Sequence, residues 1–363
     1  MSIQSTSIKS LSTKIVGSNF KWFLIIGFLL SISIQNLQAQ KLKTPTAYLN
    51  YIGDQYAALS KEYYQYLSAI AHSDNVEKVE KKRQELLNTS WKVTNVVRTM
   101  PSFNGDRSLR DSAAAYLNLN HRILKEDYDL ILNMSKIAEN SYSEMEAFLL
   151  AQEQSAAKLD RANKQMVMAQ RTFAKKYGVD LYERNDITYD KMLTTNEVIK
   201  YYNDLYLIFF KCHKEDYFLQ GAVLRNNVEE MKLHMNQLNE YAESGLMKLK
   251  SFDAYEGDIS LLNATKKILT FYNQISKNEM SEVLSFEQIK KDYEAAKTAF
   301  ESTPESEKTP EDFTYYNYTV RNYNMQANQY NVVNNYLYTE RSNQVTYWNH
   351  VFKTFIDNHI PNF

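Results

Sequence analysis

Between Pro101 and Pro304 the chain carries no proline, and its 363 residues hold only eight glycines. Proline and glycine most readily end helices and shape the turns of sheets. A chain this poor in them, with Glu, Lys, Leu, Ala, Gln and Met plentiful, reads as helix throughout. Apolar residues recur at steps of three and four rather than two, the spacing of one helical face. The expectation is an all-α protein.

One piece of punctuation occurs twice. Residues 102–109 read SFNGDRSL and residues 251–261 read SFDAYEGDISL. Without Asp253, Ala254 and Tyr255, six of eight positions are identical. A second comparison sets 48–67 against 201–220, where five of twenty positions match, Tyr48 with Tyr201 and Glu62 with Glu215 among them. The offsets nearly agree, so an internal duplication is expected.

Each phrase reads as a helix-to-helix corner. Gly105 and Gly257 permit a turn other residues resist, and Asp106 and Asp258 are suited to cap the next helix. Ser108 with Asp111 offers an alternative capping box. Apolar stripes begin at Leu109, Ala113 and Tyr116 and at Leu261, Ala264 and Ile268, with Phe103 and Phe252 folding back as anchors.

The resulting architecture is two tandem, duplicated antiparallel helical bundles, elongated, with a long C-terminal helix. The first unit, 40–190, has helices at about 46–72, 75–99, 107–138 and 142–177, ended by Gly178 and followed by a loop, VDLYERNDITYD. The second, 191–363, has helices at about 192–223, 226–250, 258–283 and 286–302. A last helix runs from about 310 to 358, with Thr309 as cap and Pro310 at its first position.

The N-terminus reads as a targeting segment. Residues 1–21 carry Lys9, Lys14 and Lys21 and no acid, and WFLIIGFLLSISI follows, with Leu37 and Ala39 placed for cleavage. That pattern over 1–39 is a secretory signal peptide. The 13-residue apolar run is short for a membrane span of roughly 20 residues. Retention as an uncleaved anchor is the alternative. After cleavage 39 basic residues stand against 43 acidic ones, a balance that argues for neither nucleic acid nor an anionic membrane as partner. Cys212 is the sole cysteine, so no internal disulfide forms and stability rests on burial.

No catalytic or metal constellation emerges, and no cofactor is expected. Asp253, Glu256 and Asp258 lack the alternating ligands of a calcium loop, and the reading for Asp258 is a cap. None of the six histidines belongs to a Glu-x-x-His or His-Glu-x-x-His motif. Glu230 and His234 share a face with no second pair to meet. Cys212 beside His213 lies next to LYLIFF and reads as a buried, inert thiol.

The last helix is crowded with Tyr and Asn. Tyr316, Tyr323, Tyr330, Leu337 and Val351 fall on one heptad position, broken by Gln344. Val320, Ala327, Trp348 and Phe355 fall on its partner, broken by Asn334 and Arg341. That is a packing seam. Tyr318, Tyr338 and Tyr347 lie off it and are the candidate ligand-binding residues, since rings stack on sugars while amides bond hydroxyls.

The signal segment, the SF…GD.SL corner and the Tyr-rich helices over most of 40–363 resemble the LIC-type family of bacterial surface proteins. The resemblance implies export and display, with no catalytic residues. The leading expectation is a non-catalytic envelope or surface protein of a Gram-negative bacterium, in the periplasm or on the surface, acting through a protein or glycan partner. The alternatives are a periplasmic chaperone-like or scaffold protein, and a helical glycan-cleaving hydrolase.

Overall fold

The computed structural model describes residues 42–73, 75–127, 140–181 and 187–360. The expected signal peptide and its cleavage site lie outside the described residues. Those residues form an all-α structure with no strand, and among them no helix is long and apolar enough to cross a membrane.

Local chemistry explains most helix ends. Helix α1, Pro45–His72, starts where Thr44 Oγ1 accepts the Ala47 amide and Pro45 takes the first turn. Helix α2, Val76–Arg98, is capped by Asn75, which accepts the Lys78 amide at 3.0 Å. Helix α3, Ser108–Arg122, passes into a π turn at Ile123–Asp127; the rest of the expected third helix lies outside the described residues. Helix α4, Tyr142–Tyr177, is capped by Ser141 and ended by left-handed Gly178. Helix α5 spans Ile187–Leu224, and α6 spans Val228–Lys248 with Asn227 as its cap. Then come α7, Ser260–Lys277, α8, Glu279–Ser302, and α9, Pro310–His359. Thr309 and Asp312 close a reciprocal box at the start of α9.

Four expectations change in detail. Helix α5 begins at Ile187, so the end of the expected loop is helical. The break between α7 and α8 falls at Asn278, not at 283–286; its short amide side chain favours such a breakpoint. Ser108 does not box with Asp111. Its hydroxyl donates to Asp106 at 2.7 Å, while Asp111 pairs with Arg110. The counterpart of Phe103 at the second corner is Tyr255, because the inserted residues 253–255 place Tyr255, not Phe252, at the turn.

The two corners adopt one geometry. Phe103 and Asp106 exchange backbone hydrogen bonds of 3.0 and 2.8 Å, and Tyr255 and Asp258 exchange bonds of 3.1 and 2.8 Å. Between them Asn104 and Gly105 have φ of 49° and 83°, and Glu256 and Gly257 have 48° and 88°. Two successive positive φ values define a type I′ turn. Asp106 then accepts the Ser108 amide at 2.9 Å and Asp258 the Ser260 amide at 2.7 Å.

The chain divides into two compact units. One runs through Asn203 and resumes at Thr354; the other is Asp204–Lys353. In the first, α1 packs on α2, α2 on α3 and α3 on α4. Its core centres on Tyr48, Phe103, Phe173 and Tyr177, whose ring centroids lie 4.6–5.6 Å apart. The Tyr48 hydroxyl donates to the Pro101 carbonyl at 2.8 Å, which ties α1 to the corner. In the second, α6 packs on α7 and α7 on α8. Trp348 stacks on Phe209 at 4.3 Å, and its indole N–H reaches Thr265 Oγ1 at 3.0 Å.

Candidate interaction face

Helices α8 and α9 meet through a ladder of rings. Phe286, Tyr293 and Phe300 stand seven residues apart on α8, and Tyr316, Tyr323 and Tyr330 stand seven apart on α9. Phe286 stacks on Tyr330 at 4.4 Å, Tyr293 on Tyr323 at 4.6 Å and Phe300 on Tyr316 at 4.4 Å. The numbers rise along one helix as they fall along the other, so the seam read from sequence is the contact between these two helices over 316–330, while farther along it Trp348 packs on Phe209 of α5. Such ring pairs add about 0.5–1.5 kcal/mol each beyond their burial.

Fixing one face of α9 fixes the opposite one. Tyr315, Tyr318, Met325, Val332 and Tyr336 are exposed, Tyr318 to 63% and Val332 to 65%. Their spacings of three, seven, seven and four place them on one side of the helix. From 313 to 339 the only charged residue is Arg321. Apolar side chains on a surface with one charge in its segment, rich in Tyr and with a Met, have the composition of an interface core.

The candidate tyrosines separate. Tyr318 belongs to this stripe. Tyr338 is also exposed, but twenty residues at 100° each turn it to the other side of the helix. Tyr347, also exposed, points within about 20° of the Tyr318 direction, and one face of its ring carries Lys267, whose Nζ lies 4.1 Å from the centroid. Sequence reasoning missed Tyr315, Met325, Val332 and Tyr336; their seven-residue spacing was the available sign.

The polar interruptions of the seam have a different role. Arg341 points inward, its Nε 2.9 and 3.0 Å from the two carboxylate oxygens of buried Asp216, which also accepts from Gln220 at 2.9 Å. Gln344 is buried and donates to Glu340. One turn before Asp216, His213 Nδ1 lies 3.0 Å from the Tyr272 hydroxyl, and its ring stacks on Phe209. Burial lowers the His213 pKa to about 4 despite the Asp216 charge, and holds the Tyr272 phenol well above its usual value. His213 is therefore neutral at pH 7.

Neighbouring groups are likewise engaged. His234 pairs with Glu215 at 2.6 Å rather than with Glu230, which pairs with Arg225. Cys212 is fully buried, and desolvation raises its thiol pKa far above the ordinary range. The buried Asp216–Arg341 pair neutralises its own charges inside a helical core, an arrangement that positions helices. Among the described residues no cluster of three or more His, Cys, Asp or Glu side chains is arranged to hold a metal ion. Comparison with protein-family models, curated proteins and solved structures finds no match to this chain.

Proposed function

We propose that this chain is an exported, non-catalytic protein of the bacterial cell envelope, of the LIC-type kind, which works by presenting the outward face of α9 to a protein or glycan partner. The observation that carries this reading is the uncharged stripe of Tyr315, Tyr318, Met325, Val332 and Tyr336. Exposed apolar side chains aligned on one face and stripped of charge mark a surface meant to be covered. The cationic, apolar N-terminal pattern supports export. The twin corners support descent from a duplicated helical unit, in which leucines 152 residues apart are buried in both copies: Leu86 and Leu238, Leu109 and Leu261, Leu117 and Leu269.

The test is protease treatment of intact producing cells, followed by mass spectrometry of the chain. Surface display predicts digestion without lysis and a mature N-terminus at Gln40. Protection until the outer membrane is opened defeats surface display and favours a periplasmic scaffold or chaperone.

A further inference from the structure

The outward stripe of α9 has the period of a coiled-coil seam. Tyr315, Asn322, Gln329 and Tyr336 recur every seven residues, and Tyr318, Met325 and Val332 recur every seven between them. Asn322 is half-buried and the other six are exposed. Alternating steps of three and four average 3.5 residues, the repeat that keeps one helix against another. From Tyr315 to Tyr336 the seam is about 32 Å long. The occupant that fits such a period is a helix.

Charge narrows the choice. A helix bearing ionised side chains would leave them desolvated and unpaired against a stripe whose own segment contains only Arg321 and whose Gln329 already occupies the Glu282 carboxylate of α8. Helix α8, for comparison, carries nine charged residues in 24. Helix α9 itself matches the stripe in both period and neutrality.

We propose that a second copy of this chain docks there, stripe against stripe, parallel and in register. This rests on reading the stripe as an interaction face and supplies its partner. In-register pairing sets each copy's Asn322 beside the other's, while Gln329 is held within its own chain, donating to Glu282 of α8 at 3.1 Å. A lone Asn at this heptad position is the device that fixes register and partner number. Tyr318, Met325 and Val332 form the apolar layers between. Arg321, at the flanking heptad position, faces Gln326 of the other copy and no like charge.

The expected strength follows from size. A seam about 32 Å long on a helix about 10 Å wide covers roughly 320 Å² per copy, against roughly 800 Å² per partner in a standard interface. The dimer is therefore weak and concentration-dependent, suited to a chain held at high local density.

The test is sedimentation equilibrium on protein purified from an exporting host, from about 1 to about 500 µM, the range of weak association. The wild type shifts toward twice the monomer mass as concentration rises. Met325→Glu and Val332→Glu, at exposed positions, weaken dimerisation at least tenfold and leave helicity and melting unchanged. Asn322→Cys forms a disulfide-linked dimer on oxidation, whereas Asn331→Cys, off the stripe, does not; native Cys212 is buried and silent. A monomer throughout, or a dimer indifferent to both glutamates, overturns the proposal. A dimer that cross-links through Asn331→Cys and not Asn322→Cys overturns the in-register arrangement. If the wild type is monomeric while the glutamate variants lose binding to cells or glycans, the second copy is excluded as occupant and the interaction face stands.

Discussion

The Asp216 carboxylate and the Arg341 guanidinium, 125 residues apart in sequence, form an ion pair with side chains only 3% and 13% exposed. Gln220 completes the shell of Asp216. Deleting one member of such a pair leaves the other charged in a dry interior, at a cost of about 3–5 kcal/mol, while replacing both by apolar residues is often neutral. Arg341→Ala is accordingly expected to destabilise by that amount, and Asp216→Leu with Arg341→Met by far less. Urea denaturation of the two variants checks this; equal losses would mean that the pair itself, rather than an orphaned charge, sets the cost.

Glycine substitutions separate backbone need from spatial need. Gly105 and Gly257 have positive φ and open space where a Cβ would stand. Alanine there is strained by conformation alone, so Gly105→Ala and Gly257→Ala should each cost about 1 kcal/mol. Gly53, inside α1, has the same open space with no positive φ. Gly53→Ala should stabilise by about 0.5–1 kcal/mol through helix propensity. Thermal melts of the three variants decide it, opposite signs at the corners and in the helix being the expected outcome.

Titration of His213 supplies a pH dependence of known sign. Its pKa in the folded protein, about 4, lies below its unfolded value near 6.5. Between those values the unfolded chain binds a proton that the native one excludes, so stability falls as pH drops from about 6.5 to about 4. The loss from this residue reaches at most about 3 kcal/mol. His213→Gln should flatten that part of the profile in urea titrations at stepped pH. A slope identical to wild type would assign the loss to other groups.

Helix ends were the most legible part of the chain, because caps are local chemistry. Gly178 at the end of α4 and Thr309 with Pro310 at the start of α9 each act within four residues of the end they define. The break at Asn278 carried no Gly or Pro and was placed several residues late. Arg341 and Gln344 were legible as interruptions of a seam but not as inward-facing groups, since the acid that makes Arg341 welcome stands on a helix 125 residues earlier. In the candidate site Tyr318 was legible as a residue off the seam. Tyr338 is off the seam as well but on the other side of the helix, because lying off a seam does not set a direction, and no local pattern announces the lysine of α7 over the Tyr347 ring. The outward stripe was hidden by its composition: Asn322 and Gln329 break its apolar run.

The ring ladder between α8 and α9 repeats every seven residues on both helices in a single pairing. Excising seven residues from each helix would bring the next rung into the place of the one removed. The hairpin can therefore lengthen or shorten in steps of about 10 Å without disturbing the packing at its base. Paired insertions or deletions of one heptad keep the rungs in register, and single-residue changes in length are the damaging ones.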